Sequence, residues 1–309
     1  MTALSTFDVL GFGAVAVDDL LYVEQYPTAD AKVGVQFRLR QCGGLTGTAL
    51  VAAARFGARC AYVGLLGNDE LSAYVTAALS AEGIDMRYAV RADDARPAFS
   101  TIVVDRVGTR TIFCSLDGRI GADEHLPDAA LIRAAKVLLV DHHGIEGTLR
   151  AVRIAREAGV PVVADFERRP EGAFDALLAE IDHLVISSRF AAELTGKERP
   201  EEAASALWTP RRNAVVVTCG VDGSWAVDRA GPVRHFPAFQ VETADTTGCG
   251  DVFHGVYAAA LAENRSVDQA IWLASAAAAM KAARHGGQQG IPKREELEAF
   301  LGSRGPLGA

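Results

Sequence analysis

Asp245-Thr246-Thr247-Gly248-Cys249-Gly250-Asp251 lies between an apolar run, His235 to Val241, and an Ala-, Val- and Leu-containing run, Val252 to Ala262. The first run reads as a strand and the second as a helix. Small residues therefore fill the turn where strand passes into helix. The first amides of a helix have no intrahelical acceptor, and the helix dipole places positive potential there. Small side chains let an anion approach that backbone closely. Asp251 closes the turn with a carboxylate. An anion-binding backbone beside a carboxylate suits transfer of an anionic group to a hydroxyl that gives up its proton. The same letters also fit a plain capped helix with Asp251 as a dipole partner, so the surrounding chain has to decide.

Working backward from this turn, apolar strands alternate with helices. Val137–Val140, Val160–Ala164, His183–Ile186 and Ala214–Thr218 read as strands, with Ser224–Asp228 after them. Gly147–Ala158, Phe174–Glu180, Ala191–Thr195 and Pro200–Leu207 read as helices. Strands that are apolar throughout predict a mostly parallel sheet covered on both faces, with the ligand site at the carboxyl ends of its strands. Three such ends carry polar clusters. Asp165-Phe166-Glu167 can turn both carboxylates to one side, because alternate residues of an extended chain share a face; they could hold Mg²⁺ through water, or simply pair with Arg168 or Arg169. Asp141-His142-His143 is a competing metal-ligand cluster, but no second Asp-x-Asp pair accompanies it. Thr218-Cys219-Gly220-Val221-Asp222-Gly223 is a glycine-containing loop that fits a phosphate or ribose, and equally an ordinary tight turn.

The N-terminal part is less regular. Phe7–Phe12 is a strand leading into Gly11-Phe12-Gly13-Ala14-Val15-Ala16. These letters match a dinucleotide fingerprint, which must open a helix to work. Val17-Asp18-Asp19-Leu20-Leu21-Tyr22-Val23 and the nearby Pro27 predict extended chain instead. Lys32–Gln41 alternates weakly, Ala49–Phe56 is a helix, Cys60–Leu65 a strand and Asp69–Ala81 a helix. Ala98–Val104 and Thr109–Cys114 form an antiparallel hairpin that breaks the α/β rhythm. Beyond the opening turn, Val267–Ala283 and Glu295–Leu301 are helices, and Gly302–Ala309 is expected to fray.

The chain has 309 residues, half of them hydrophobic, and a net charge of −8. That length suits one large α/β domain. The acidic balance argues against a general nucleic-acid binder. No apolar run reaches spanning length and no basic leader precedes Asp8, so a cytoplasmic protein without a membrane span is expected. Cys42, Cys60, Cys114, Cys219 and Cys249 are scattered without a CxxC pair, which fits a reducing compartment. GxxxxGK[ST], GxSxG and HExxH are all missing from the sequence.

With these residues in hand, the chain resembles the ribokinase-like (PfkB) carbohydrate kinases along nearly its whole length. Residues 245–251 with Phe253 and Gly255 resemble the family's C-terminal signature, Cys249 standing where alanine is commoner. Gly43-Gly44 leading to Val51-Ala52-Ala53-Ala54-Arg55-Phe56-Gly57 resembles the N-terminal one. Asp18 follows Gly13 as the family's sugar-binding aspartate does. Tyr26-Pro27 with Asp30 is similar to ketohexokinases, whose matching aspartate reaches the sugar of a partner subunit.

The resemblance implies an α/β three-layer sandwich over residues 1–309. Its central sheet would be mostly parallel, with a small antiparallel β lid drawn from about 14–42 and 96–116 that often pairs into a homodimer. It implies ATP-dependent phosphorylation of a sugar hydroxyl, a ketose or a related carbohydrate. Asp251 would be the base, and the amides of Gly248, Cys249 and Gly250 the anion hole. Asp18, Asp30, Gly43, Gly44 and Thr48 would face the sugar. Thr218, Gly220, Gly223 and Ser275 would face the nucleotide. Asp165, Glu167 and Asp245 would handle Mg²⁺, and a monovalent cation such as K⁺ is suggested near Asp245 and Thr247. Two positions depart from the family. Thr48 replaces a sugar-contacting asparagine, and Ser187-Ser188-Arg189-Phe190 lacks the Asn-x-x-x-Glu-like magnesium motif. A non-catalytic sugar- or nucleotide-binding regulator and a nucleoside kinase are the alternatives these departures leave.

Overall fold

A strand that is apolar at every position can be buried only if both faces of its sheet are covered. The computed structural model, which describes residues 7–303, shows that arrangement. The first half runs β1 (Phe7–Phe12), β2 (Ala16–Tyr22), β3 (Phe37–Gly43), α1 (Leu45–Arg55), β4 (Cys60–Tyr62), β5 (Leu65–Leu66), α2 (Glu70–Ala81), β6 (Val90–Arg91), β7 (Ala98–Val104), β8 (Arg110–Ser115), α3 (Ala129–Arg133) and β9 (Ala135–Asp141). The second runs α4 (Ile145–Glu157), β10 (Val162–Asp165), α5 (Phe174–Glu180), β11 (His183–Ser187), α6 (Ser188–Thr195), α7 (Pro200–Leu207), β12 (Ala214–Thr218), β13 (Ser224–Asp228), β14 (Gly231–Phe236), α8 (Cys249–Ala262), α9 (Val267–Ala282) and α10 (Arg294–Gly302).

Eight strands form the main sheet in the order β14-β13-β12-β11-β10-β9-β1-β4. The six from β12 to β4 are parallel, and β13 and β14 are added antiparallel at one edge. The period-2 alternation sorts their side chains into two cores. Val9, Val137, Leu139, Val163, Val185 and Val216 pack with α1, α8 and α9. Leu10, Phe12, Leu138, Val140, Val162, Leu184 and Ile186 pack with α4, α5 and α6 on the other face. The result is helix, sheet, helix: three layers.

A second sheet, β3-β2-β7-β8, holds the expected hairpin β7–β8. Its outer pairings are antiparallel, while the central β2–β7 pairing is parallel. The long chain between β2 and β7 permits that, because parallel neighbours need a crossover rather than a tight turn.

Two of the expected elements shift their bounds. The strand expected at His235–Val241 ends at Phe236 as β14; Pro237 has no N–H to continue the ladder. Helix α1 begins at Leu45 instead of Ala49. Local propensity is poor over Thr46-Gly47-Thr48, and tertiary contact compensates: Thr46 Oγ1 donates to Asp141 at 2.8 Å. Most of the tail expected to fray, residues 304–309, lies outside the described residues. After Gly13 the chain runs into β2 as expected, not into a helix. A Cβ on Gly13 would stand 2.2 Å from Asp141 Oδ2, so this glycine makes room for a carboxylate of its own chain.

Candidate active site

The turn at 245–251 becomes the start of α8. Gly248 caps the helix with φ 78°, a left-handed conformation that favours glycine. The Cys249 amide donates to the Thr246 carbonyl at 3.3 Å and Val252 to Gly248 at 2.9 Å. The first-turn amides of Gly250 and Asp251 have no such partner among the described residues. A Cβ on Gly250 would meet nothing within 4 Å, so this backbone faces open space.

Asp251 stands in the first turn of α8. Its carboxyl is held well above the usual carboxylate range, first by burial and then by the charges of Asp165, Glu167 and Asp18, with Arg110 opposing. Parallel pairing brings these groups together: β10 and β9 end level, with Asp165 paired to Asp141. Strand β10 ends at Asp165, so the expected strand alternation does not extend to Glu167; Asp165 and Phe166 are buried and Glu167 is exposed. Burial and the neighbouring Glu167 and Asp141 also push Asp165 well up; its buried Oδ2 makes no hydrogen bond among the described residues and lies 3.2 Å from His254 Nδ1. Carboxylates thus act on one another at one rim, with Arg110 as the opposing charge on Asp251.

Asp141 is different. Its Oδ2 accepts from the Ala14 amide at 2.6 Å and from Thr46, and its Oδ1 from the His143 amide at 2.9 Å. These bonds use the carboxylate to join β9, the β1–β2 turn and α1. His142, beside it, accepts from Arg168 Nε at 3.1 Å, and burial lowers its pKa to about 4. The competing metal reading of this cluster therefore loses its central ligand. Among the described residues no group of three or more His, Cys, Asp or Glu is placed to hold a metal ion.

At the lid side, Asp18 is 7% exposed on β2. Burial raises its pKa to about 6, against a hydrogen bond from Ser100. Gly43 lies opposite, where a Cβ would stand 1.8 Å from Asp18 Oδ2. Gly44 precedes α1. Thr48, in the first turn of α1, is buried, accepts from Gln288 Nε2 at 3.4 Å, and borders Gly248. Asp30 stands apart, exposed in the β2–β3 loop with φ 61°, and shares no hydrogen bond or ion pair with these residues. Thr218 ends β12 level with Ser187 of β11, and a 3-10 turn at Gly220–Asp222 leads to Gly223. Ser275 is half-buried on α9.

Residues 8–294 match the pfkB family of carbohydrate kinases. The chain belongs to that family. It is 29% identical to a ribokinase of Haemophilus influenzae, with 94% of this chain and 96% of the relative covered. It is 24% identical to a 5-dehydro-2-deoxygluconokinase of Lacticaseibacillus casei, with 96% and 95% covered. A crystal structure from Agrobacterium tumefaciens, assigned only provisionally as a ribokinase, superposes with a TM-score of 0.90 at 33% identity, covering 96% of this chain and 98% of that one. No helix among the described residues is long and apolar enough to cross a membrane.

One of the sequence assignments for this pfkB kinase needs correction. Asp245 is not turned toward a metal. It is fully buried. Its Oδ1 accepts from the Thr247 amide at 2.8 Å, and its Oδ2 from Tyr22 Oη at 2.8 Å and the Gly286 amide at 3.0 Å. Burial raises its pKa, but the Lys281 charge and these donors outweigh burial and leave it low.

Sequence reasoning also missed residues. Arg110, at the start of lid strand β8, donates from Nη1 to Thr246 Oγ1 at 2.6 Å. His254, one turn into α8, has Nδ1 2.8 Å from the Gly250 carbonyl and Nε2 2.8 Å from the Val185 carbonyl. Both oxygens only accept, so filling both bonds takes a proton on each nitrogen. The Asp165 carboxylate, 3.2 Å from Nδ1, would balance that charge. Burial works against it and lowers the imidazole pKa, with the two carbonyls opposing. A lone charge within Ala276–Ala283 and a histidine three residues after Asp251 were the visible signals for Lys281 and His254.

Proposed function

We propose that the chain transfers the γ-phosphoryl group of ATP to a hydroxyl of a sugar, a ketose or related carbohydrate, with Asp251 as general base. The observation that carries this is the turn that sets the Asp251 carboxyl, without a hydrogen bond or ion pair among the described residues, beside helix-start amides and within the field of Asp165 and Glu167 at the end of β10. In the reaction Asp251 takes the hydroxyl proton. The oxygen then attacks the γ-phosphorus, the bond to the β–γ bridging oxygen breaks, and ADP leaves with that electron pair. A well-placed base contributes about 10²–10⁴-fold. The amides of Gly248, Cys249 and Gly250 would face the transferring group, Cys249 being already partly engaged; a lost donor of this kind costs roughly 3–4 kcal/mol. Such transfer needs mainly positioning and charge stabilisation.

Asp165 and Glu167 are the residues that would hold Mg²⁺. The Asp165 Oδ2 without a hydrogen bond and the mutual repulsion of Asp165, Glu167 and Asp251 fit a cation there. Mg²⁺ keeps several waters and needs few protein ligands, so a complete cage is not required. Bound, it would neutralise phosphate charge. Thr218, Gly220, Gly223 and Ser275 would line the nucleotide end. Asp18, Gly43, Gly44 and Thr48 would line the sugar end, where an ionised Asp18 can accept several hydroxyl protons.

The lid leaves Phe37, Ile112 and Phe113 between 45% and 55% exposed, with Val33, Val35 and Leu116 beside them in sequence. Exposed apolar side chains on both faces of the lid fit a second copy of the chain, which would bring Asp30 to the partner's sugar. Light scattering should give twice the monomer mass, and Phe113→Ser should halve it.

The deciding experiment is ADP release across ketoses, aldoses, sugar acids, sugar phosphates and nucleosides. Sugar-dependent ADP is expected. Sugar binding with no ADP from any of them would replace the kinase by a binding regulator, and nucleoside-only turnover would reassign the substrate.

A further inference from the structure

The turn that carries the anion site rests on a cation built into the chain. Lys281, at the end of α9, is fully buried; its Nζ donates to the Asp245 carbonyl at 2.7 Å and lies 3.7 Å from Asp245 Oδ1. A lysine buried to this extent is kept only with a partner. Its charge acts on Cys249 as well as on Asp245. The oxygens around it are already spent. Both oxygens of the Asp245 carboxylate accept donors, from Thr247, Tyr22 and Gly286. The Ala282 carbonyl accepts from the Ala244 and Asp245 amides.

The family resemblance suggests a monovalent cation near Asp245 and Thr247, and these residues do not fit one. A weakly hydrated cation needs several oxygens in place of its water. Among the described side chains around Asp245, the one buried polar atom not committed to a well-formed hydrogen bond is Thr247 Oγ1, and that hydroxyl also acts on the Asp245 carboxylate. A second positive charge there would also meet the ammonium of Lys281.

We infer that Lys281 is a positioning residue standing in for a monovalent cation: it holds the 245–250 backbone and gives the anion site a permanent positive charge, so that this protein needs no added K⁺. The inference rests on the kinase reading of the Asp251 site for its effect on turnover, but not for its effect on cation binding.

The test compares the full chain in KCl and in tetramethylammonium chloride at equal ionic strength, by thermal unfolding and by turnover of whichever sugar the screen finds. The wild type should show the same Tm and rates within twofold in both salts. Lys281→Ala should lose at least tenfold in kcat with a smaller change in KM for ATP. It should recover part of that loss, and gain a Tm increase, in KCl alone. A wild type stabilised or activated more than fivefold by K⁺ would overturn the inference. So would a Lys281→Ala protein with unchanged kcat, or one whose loss no cation relieves. If the variant does not fold in either salt, the wild-type comparison still decides. Unfolding needs no turnover, so a screen in which no sugar is phosphorylated would remove the kinase reading and leave the cation result standing.

Discussion

Asp245 and Asp251 begin and end the same seven-residue turn, and the fold treats them in opposite ways. Asp245 is enclosed by donors: a backbone amide two residues on, a hydroxyl from the lid, an amide from the 286 loop and an ammonium from α9. Its proton is held less tightly than in water, so it is ionised and structural. Asp251 is enclosed by other carboxylates, and its proton is held more tightly. A carboxylate whose lone pairs are all used cannot take a proton from a substrate. One that is desolvated and poorly partnered can.

Removing each carboxylate in turn probes that contrast. The largest effect is expected at Asp251→Asn: kcat should fall by about 10²–10⁴-fold, while the thermal midpoint stays level or rises because one like charge has gone. Stopped-assay kinetics beside calorimetry will separate the two; a Tm collapse would place Asp251 with Asp245 as a structural group. Asp245→Asn should do the reverse. It leaves the Lys281 ammonium buried without its counter-charge, which costs about 3–5 kcal/mol, read as a lower urea midpoint. A variant as stable as the wild type would show that the pair carries no weight.

Asp18 sharpens the comparison from the lid side. Its carboxyl is raised from 3.8 to about 6 in the folded state. The folded chain therefore binds the proton more tightly, and stability falls as pH rises from the unfolded value through about 6, then stays reduced. Asp18→Asn removes that penalty and should stabilise the protein at pH 8 by up to about 3 kcal/mol, with the gain vanishing below about pH 4. The same variant should weaken sugar binding. In the wild type, KM for the sugar should climb as pH drops below about 6. Urea titrations at several pH values, with KM measured alongside, would check both.

Much of the fold was legible because its signals are local. Apolar strands spaced by amphipathic helices, the 104–110 hairpin turn and the non-helical chain after Gly13 each follow from a few neighbouring residues. Alternation could not settle how Asp165 and Glu167 relate, because β10 ends at Asp165. Asp245 was misassigned because a carboxylate near a glycine turn looks the same whether its partners are solvent or donors. Its partners come from 223 residues upstream, at Tyr22, and 36 downstream, at Lys281. Arg110 reaches Thr246 across 136 residues, and His254 joins Val185 across 69.

The sequence by itself determined the layers, the turn and the position of Asp251 within it, since periodicity and turn chemistry act over a few bonds. Only the tertiary structure decided which carboxylates are spent on the scaffold, which remain open to a proton, and where a buried ammonium lies beneath them. Desolvation and charge interaction depend on distance through space, and that distance exists only once the chain has closed on itself.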